Sequence, residues 1–282
     1  MIYNAQFVNE VLENFHNSFM AKKRRWCDIA SIEPEGSNYK KKLYQLLYTL
    51  RYFPAYYLEY CVLADALRQR VSGKYNNLNV ASFGCGICPD YYALKDNLAG
   101  VKFQYVGYDR CEWSSQKYLP EISSNNFSFE FFTTDSFELG DLDDVDVFVF
   151  PKSIGDIAAG DGLEHLANVI ASTKKEKIFF LNSYVSNGSE NMSSNAGYFN
   201  VVHNALESEG FITSDKVSTA QYKGKFGAGL RSIEYNFCYP EKFLITCDNQ
   251  GTKTLCGHCG VVKRPVMTNR FMEYQILEYV RE

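Results

Sequence analysis

Gly84, Cys85 and Gly86 stand together in "NVASFGCGICPDYYAL", residues 79–94, between an apolar run and a segment that reads as a helix. Glycine lets a backbone approach a ligand closely. A helix that follows such a turn is expected to offer free N–H groups to it. Asp109 ends the next apolar run, and a carboxylate there accepts hydrogen bonds from a ribose diol. Asp135 and Ser136 follow a third apolar run, and Pro151, Lys152 and Ser153 follow a fourth. Four successive strand ends thus each present polar or turn-forming groups toward one edge.

A second group with chemical potential lies near the C-terminus. Cys238, Cys247, Cys256 and Cys259 are spaced C-x8-C-x8-C-x2-C. Two thiolates on one tight turn, as in "CGHC", form half of a tetrahedral zinc site. The expected site is structural, with these four cysteines as ligands and His258 as the alternative to Cys238, and free thiols are the competing reading. His16, His165 and His203 fall in helical patterns without metal spacing, so they read as ordinary surface or core residues.

The elements that would position these groups follow from hydrophobic periodicity. Phe7, Val8, Val11, Leu12, Phe15 and Phe19 recur at steps of three and four, which predicts an amphipathic helix. A second helix begins near Leu43, is broken at Pro54 and resumes to about residue 71. From residue 78 the pattern changes to alternating strands and helices. Strands are predicted over 78–83, 102–109, 127–132, 144–150, 176–185, 211–217 and 231–239, with a short helix in "EWSSQKYL". This alternation implies a parallel sheet covered on both faces. The last two strands are separated by a loop too short for a helical crossover, so an antiparallel pair is expected there. The fold expected is α/β: a doubly wound, mostly parallel seven-stranded sheet with a final antiparallel strand. The helical lead-in would occupy 1–77, the core 78–240, and a zinc-binding extension or substrate lip 241–282.

Composition bounds the function. The 282 residues carry a net charge of −4, so the chain is not basic overall. Two basic clusters, "KKRR" at 22–25 and "KKK" at 40–42, read first as solvated helix faces and second as nucleic-acid contacts. Nine cysteines without a repeating spacing along the whole chain suggest a reducing compartment, and the cytoplasm is expected. No apolar run is long enough to span a membrane, and the N-terminal residues do not read as a signal peptide.

Taken together, residues 78–238 resemble the class I S-adenosylmethionine-dependent methyltransferases. "ASFGCGICPDYYAL" is similar to the family's first motif, "YVGYDR" to the second-strand motif, "TTDSF" to the adenine loop and "DVFVFPKS" to the fourth-strand motif. Two positions depart from the pattern. Ser82 stands where an acid is common, and Cys88 where a third glycine is common. The resemblance implies S-adenosyl-L-methionine as cofactor, bound by Ser82, Gly84, Cys85, Gly86, Asp109, Arg110, Asp135, Ser136 and Pro151. It implies Lys152 and Ser153 as catalytic groups in the methyl-acceptor pocket. A nicotinamide dinucleotide fits less well, because its fingerprint needs a small residue where Pro89 stands. The acceptor expected is a macromolecule, with RNA favoured by the basic clusters and the zinc half-site. The alternatives are a protein or small-molecule acceptor, and a non-catalytic module that keeps the fold. No membrane partner is expected.

Overall fold

In a computed structural model of the chain, the structure describes residues 1–22, 39–119, 125–185, 196–218, 222–223 and 272–282. The first helix, α1 (Ala5–Ala21), is capped by Asn4, whose side-chain oxygen accepts the Phe7 N–H at 3.0 Å. All six apolar residues of its predicted stripe are buried. Helices α2 (Lys42–Arg51) and α3 (Phe53–Val71) meet at Tyr52, with Pro54 in the first turn of α3. There proline lacks only an N–H that would have no helical partner anyway, so it starts a helix as readily as it ends one.

Strands β1 (Asn77–Phe83), β2 (Lys102–Asp109), β3 (Phe127–Phe131), β4 (Val147–Pro151) and β5 (Lys177–Val185) are parallel neighbours in the order β3-β2-β1-β4-β5. Helix α4 (Pro89–Asn97) follows β1; α5 (Ile154–Ala159) and α6 (Leu163–Ala171) follow β4; α7 (Phe199–Ser208) precedes β6 (Phe211–Ile212). A two-residue strand, β7 (Tyr222–Lys223), pairs with the last strand, β8 (Met272–Arg281).

Strand β8 enters the sheet antiparallel between β5 and β6, in register from Lys177 opposite Val280 to Val185 opposite Met272. The doubly wound, mostly parallel sheet with a final antiparallel strand is therefore present. One expectation is corrected: the end of the C-terminal segment is neither an extension nor a lip but an interior strand. Its Gln275, Ile276, Leu277 and Tyr279 are buried on both faces of the sheet. The antiparallel partner of Phe211–Ile212 is this strand. The strand expected over 231–239 lies outside the described residues. "EWSSQKYL" forms only a single tight turn, at Gln116–Tyr118.

Strand alternation divides the core. Leu78, Val80, Val147, Val149, Phe179 and Leu181 face α1–α4, while Ala81, Phe83, Phe148, Phe150 and Phe180 face α6 and α7. Each such fully buried large side chain contributes about 1.5–3 kcal/mol. The same parity puts Ser183 of β5 on the face of the lead-in helices, and this matters for the site. Among the described residues no helix is long and apolar enough to cross a membrane.

Candidate active site

The carboxyl ends of β1, β2 and β4 open into one cavity of about 560 Å³. Gly84 and Gly86 line it in left-handed conformations, φ +71° and +60°. A Cβ on Gly84 would lie 2.6 Å from the Cβ of Ser153, so no larger residue fits without displacing the β4 end. Cys88 also adopts φ +54°, so the left-handed turn persists where the resembled motif has its third glycine.

The donors of this loop are used internally. The N–H groups of Gly84 and Cys85 donate to the Tyr108 carbonyl at 2.7 and 3.2 Å, and that of Cys88 to the Cys85 carbonyl at 2.8 Å. Gly86 N–H donates to Asp109 Oδ2 at 2.8 Å. Pro89 has no N–H. At the helix start the Tyr91 N–H donates to the Cys88 carbonyl at 3.2 Å, and the Asp90 carboxylate takes up its own N–H and that of Tyr91. The expectation of free amides there is corrected: the turn offers a ligand room against its glycines more than donors. The end of β2 runs alongside the loop and takes up the amides of Gly84, Cys85 and Gly86.

Asp109 is 8% exposed and fastens the edge. Its second oxygen accepts the Cys111 N–H at 2.8 Å. A carboxylate has about four lone-pair sites. The two amides take two of them and Trp113 faces a third, which leaves a site for a ribose hydroxyl. Burial pushes its carboxyl above the ordinary range, while the Gly86 and Cys111 amides, Trp113 and Arg110 pull it back.

Other predicted residues divide by position. Arg110, Asp135, Pro151, Lys152 and Ser153 line the cavity. Ser82 is fully buried beneath the loop and faces Asp90. Cys85 is buried, and its sulfur is close enough to Gly107 that a Cβ there would meet it at 2.8 Å. Ser136 is exposed and bonds Thr133 at 2.9 Å. None of these three lines the cavity. The Thr134–Asp135 turn is held against the start of α6 so closely that a Cβ on Gly162 would lie 1.8 Å from Thr134 Oγ1. Ser153 gives its one hydroxyl proton to the Phe83 carbonyl at 2.5 Å, tying β4 to β1.

Lys152 is held more elaborately. Its side chain is 6% exposed, and its ammonium donates to Glu59 Oε1 at 2.9 Å and to the Tyr184 carbonyl at 2.7 Å. It also lies 5.2 Å from the Tyr56 ring centroid. Ser183 Oγ donates to the same Glu59 oxygen at 2.5 Å. Burial pushes the Glu59 carboxyl up, and Lys152 and Ser183 pull it back. Tyr48 and Trp113, with ring centroids 4.8 Å apart, continue the aromatic wall from Tyr56 to Gly86. Burial raises the Tyr48 and Tyr56 hydroxyls, which stay protonated.

Sequence reading missed Glu59 and these aromatics. The signal for Glu59 was a charge inside the apolar stretch "AYYLEYCVLA". Such a charge is seldom buried unless paired. The four candidate zinc ligands lie outside the described residues, and among the described residues no cluster of metal-binding side chains occurs.

No protein-family model matches the sequence, and no curated protein matches it. Solved structures do match in shape. A phosphoethanolamine N-methyltransferase 2 from Haemonchus contortus, in complex with phosphomonomethylethanolamine and S-adenosylhomocysteine, superposes with a TM-score of 0.51 at 13% identity. The match covers 88% of this chain and 61% of that one, so this chain spans less than two thirds of its length. The mitomycin 7-O-methyltransferase MmcR gives 0.45 at 11% identity, over 97% of this chain and 68% of that one. The YcgJ protein from Bacillus subtilis gives 0.44 at 10% identity, over 78% and 98%. The strand order with its antiparallel insertion, together with the first of these likenesses, establishes that this chain has the class I methyltransferase fold.

Proposed function

We propose that this protein transfers a methyl group from S-adenosylmethionine. The observation that carries the reading is the convergence of three strand ends on one cavity. The glycine loop of β1, the Asp109 carboxylate of β2 and the Lys152 edge of β4 all line it. Asp109 would hold a ribose hydroxyl, and Gly84 and Gly86 would leave room for the bound molecule. Arg110, Asp135 and Pro151 would complete the walls. When bound, the cofactor supplies an electrophilic methyl, whose bond to sulfur breaks with its electron pair left on sulfur. The chain's own part is to orient the two reactants, exclude water and manage the acceptor's proton.

The acceptor favoured by the cavity is a small molecule, because its far wall is a continuous surface of Tyr56, Tyr48, Trp113 and Tyr39. RNA is the second reading. It is supported by Lys40, Lys41 and Lys42, which stand exposed at the start of α2 beside Tyr39. The rest of the first basic cluster, from Lys23, lies outside the described residues. Zinc held by Cys238, Cys247, Cys256 and Cys259 is proposed as a structural addition. Cys61, Cys85, Cys88 and Cys111 are free thiols, which fits the proposed cytoplasmic location.

Incubating the protein with methyl-labelled cofactor and fractionated cell extract tests the reading. Label is expected in the small-molecule fraction, and label in RNA would favour the second reading. Binding of S-adenosylhomocysteine without label in any fraction would instead make the chain a non-catalytic module.

A further inference from the structure

A buried ion pair is costly unless its members are well hydrogen-bonded, and hydrophobic replacements are often no less stable. The Glu59–Lys152 pair therefore calls for a reason. Lys152 also has a backbone φ of +59°, an uncommon conformation for a side chain of this kind and one that clusters at functional sites. Its N–H donates to the carbonyls of Phe150 and Ser183, at 2.9 and 3.0 Å, which holds the strained residue in place. An ammonium has three N–H donors. Two go to Glu59 and to the Tyr184 carbonyl. The third has no protein acceptor among the described residues, and Lys152 lines the cavity beside the face of Tyr56.

From this geometry we infer that Glu59 and Lys152 act as a proton-accepting couple for the hydroxyl of a small aromatic acceptor. The inference rests on the methyltransferase reading and names its substrate class. Lys152 would be the catalytic residue touching the acceptor oxygen, and Glu59 a positioning and proton-storing residue behind it. In the step, Nζ gives a proton to Glu59 Oε1 and takes the hydroxyl proton in its place. The oxygen keeps both electrons of its O–H bond. Lys152 ends as it began, an ammonium, and Glu59 ends as a neutral acid.

Three features select this class. The Tyr56–Tyr48–Trp113 wall offers ring faces to a flat molecule. A phenol, at about 10 in water, is acid enough to yield its proton to such a pair, whereas an aliphatic alcohol is not. A cationic amine acceptor would meet an ammonium. Glu59 balances the Lys152 charge before the proton moves and the acceptor's oxyanion balances it afterwards, which removes the repulsion an isolated ammonium would exert on a sulfonium.

The probe is para-nitrophenol, whose phenolate has its own absorption band. It is added to the full chain loaded with S-adenosylhomocysteine, at a pH below its own titration. Calorimetry in buffers of different ionisation enthalpy counts the protons released. In the wild type, the bound probe is expected as phenolate with no net proton released, because Glu59 takes it. Glu59→Gln should still bind phenolate but release a full proton. Lys152→Met should lose the band and bind about tenfold more weakly or worse. If either single variant fails to fold with its partner charge stranded, Glu59→Gln combined with Lys152→Met removes both charges. That double variant should bind S-adenosylhomocysteine and show no phenolate. A wild-type complex without the phenolate band, or with a proton released to buffer, overturns the inference. Equal phenolate binding by wild type and the Lys152→Met or double variant overturns it too. Failure of the wild type to bind S-adenosylhomocysteine would overturn the methyltransferase reading itself.

Discussion

Replacing Asp109 with alanine tests both the cofactor reading and the construction of the loop. The carboxylate accepts the N–H groups of Gly86 and Cys111, each at 2.8 Å, in a buried setting. Alanine leaves both donors without that partner, and each buried orphan costs about 1–3 kcal/mol. The sum, about 2–6 kcal/mol, is reduced by the relief of burying a charge. That burial cost is visible in the raised Asp109 carboxyl. The expected loss is therefore in the lower half, about 2–4 kcal/mol, read as a fall in the urea midpoint at unchanged slope. A ribose hydroxyl would also lose a charged acceptor, worth about 1.5–3 kcal/mol. Calorimetry with S-adenosylhomocysteine on the folded variant should then show affinity weaker by about ten- to 150-fold. Asp135→Ala is the control, since Asp135 is exposed on the same cavity and should change stability by less than about 0.5 kcal/mol. An Asp109→Ala protein with wild-type affinity would remove the ribose assignment, and one with a wild-type midpoint would show that the two amides do not depend on it.

Two further expectations concern groups away from the cavity. Asp90 is buried beneath the loop, accepts the Tyr105 hydroxyl at 2.9 Å, and has its carboxyl pushed up to about 6 by burial. The folded state holds this proton up to about pH 6 and the unfolded state only to about pH 4. The group's contribution is therefore full below about pH 4 and is lost as pH rises through 6, by about 3 kcal/mol. Asp90→Asn should flatten that part of the urea-midpoint profile and be the more stable protein at neutral pH; an unchanged slope would contradict the assignment. For the C-terminal cysteines, elemental analysis of protein purified without added metal should find about one equivalent of zinc, and less than about a tenth would leave them as free thiols.

Much of the fold was legible because its signals are local. The stripe of α1, the apolar runs of β1, β2, β4 and β5, and the glycine turn after β1 depend on residues a few positions apart. Alternation of strand and helix then constrains the sheet to be parallel and places its ligand edge at the strand ends. Asp109, Asp135 and Lys152 were read this way, at or just after strand ends, Arg110 came with the family resemblance, and all four line one cavity. What the chain order could not determine were contacts across it. Glu59 and Lys152 are 93 residues apart, and only the packing of α3 over the ends of β4 and β5 puts a carboxylate against that ammonium. The amides at the helix start read as free because spacing alone does not show that the Cys88 carbonyl and the Asp90 carboxylate take them up. Strand β8 was read as a tail for the same reason. A strand's place is decided by the hydrogen-bonding edge it finds, and the edges of β5 and β6 exist only once the sheet has formed.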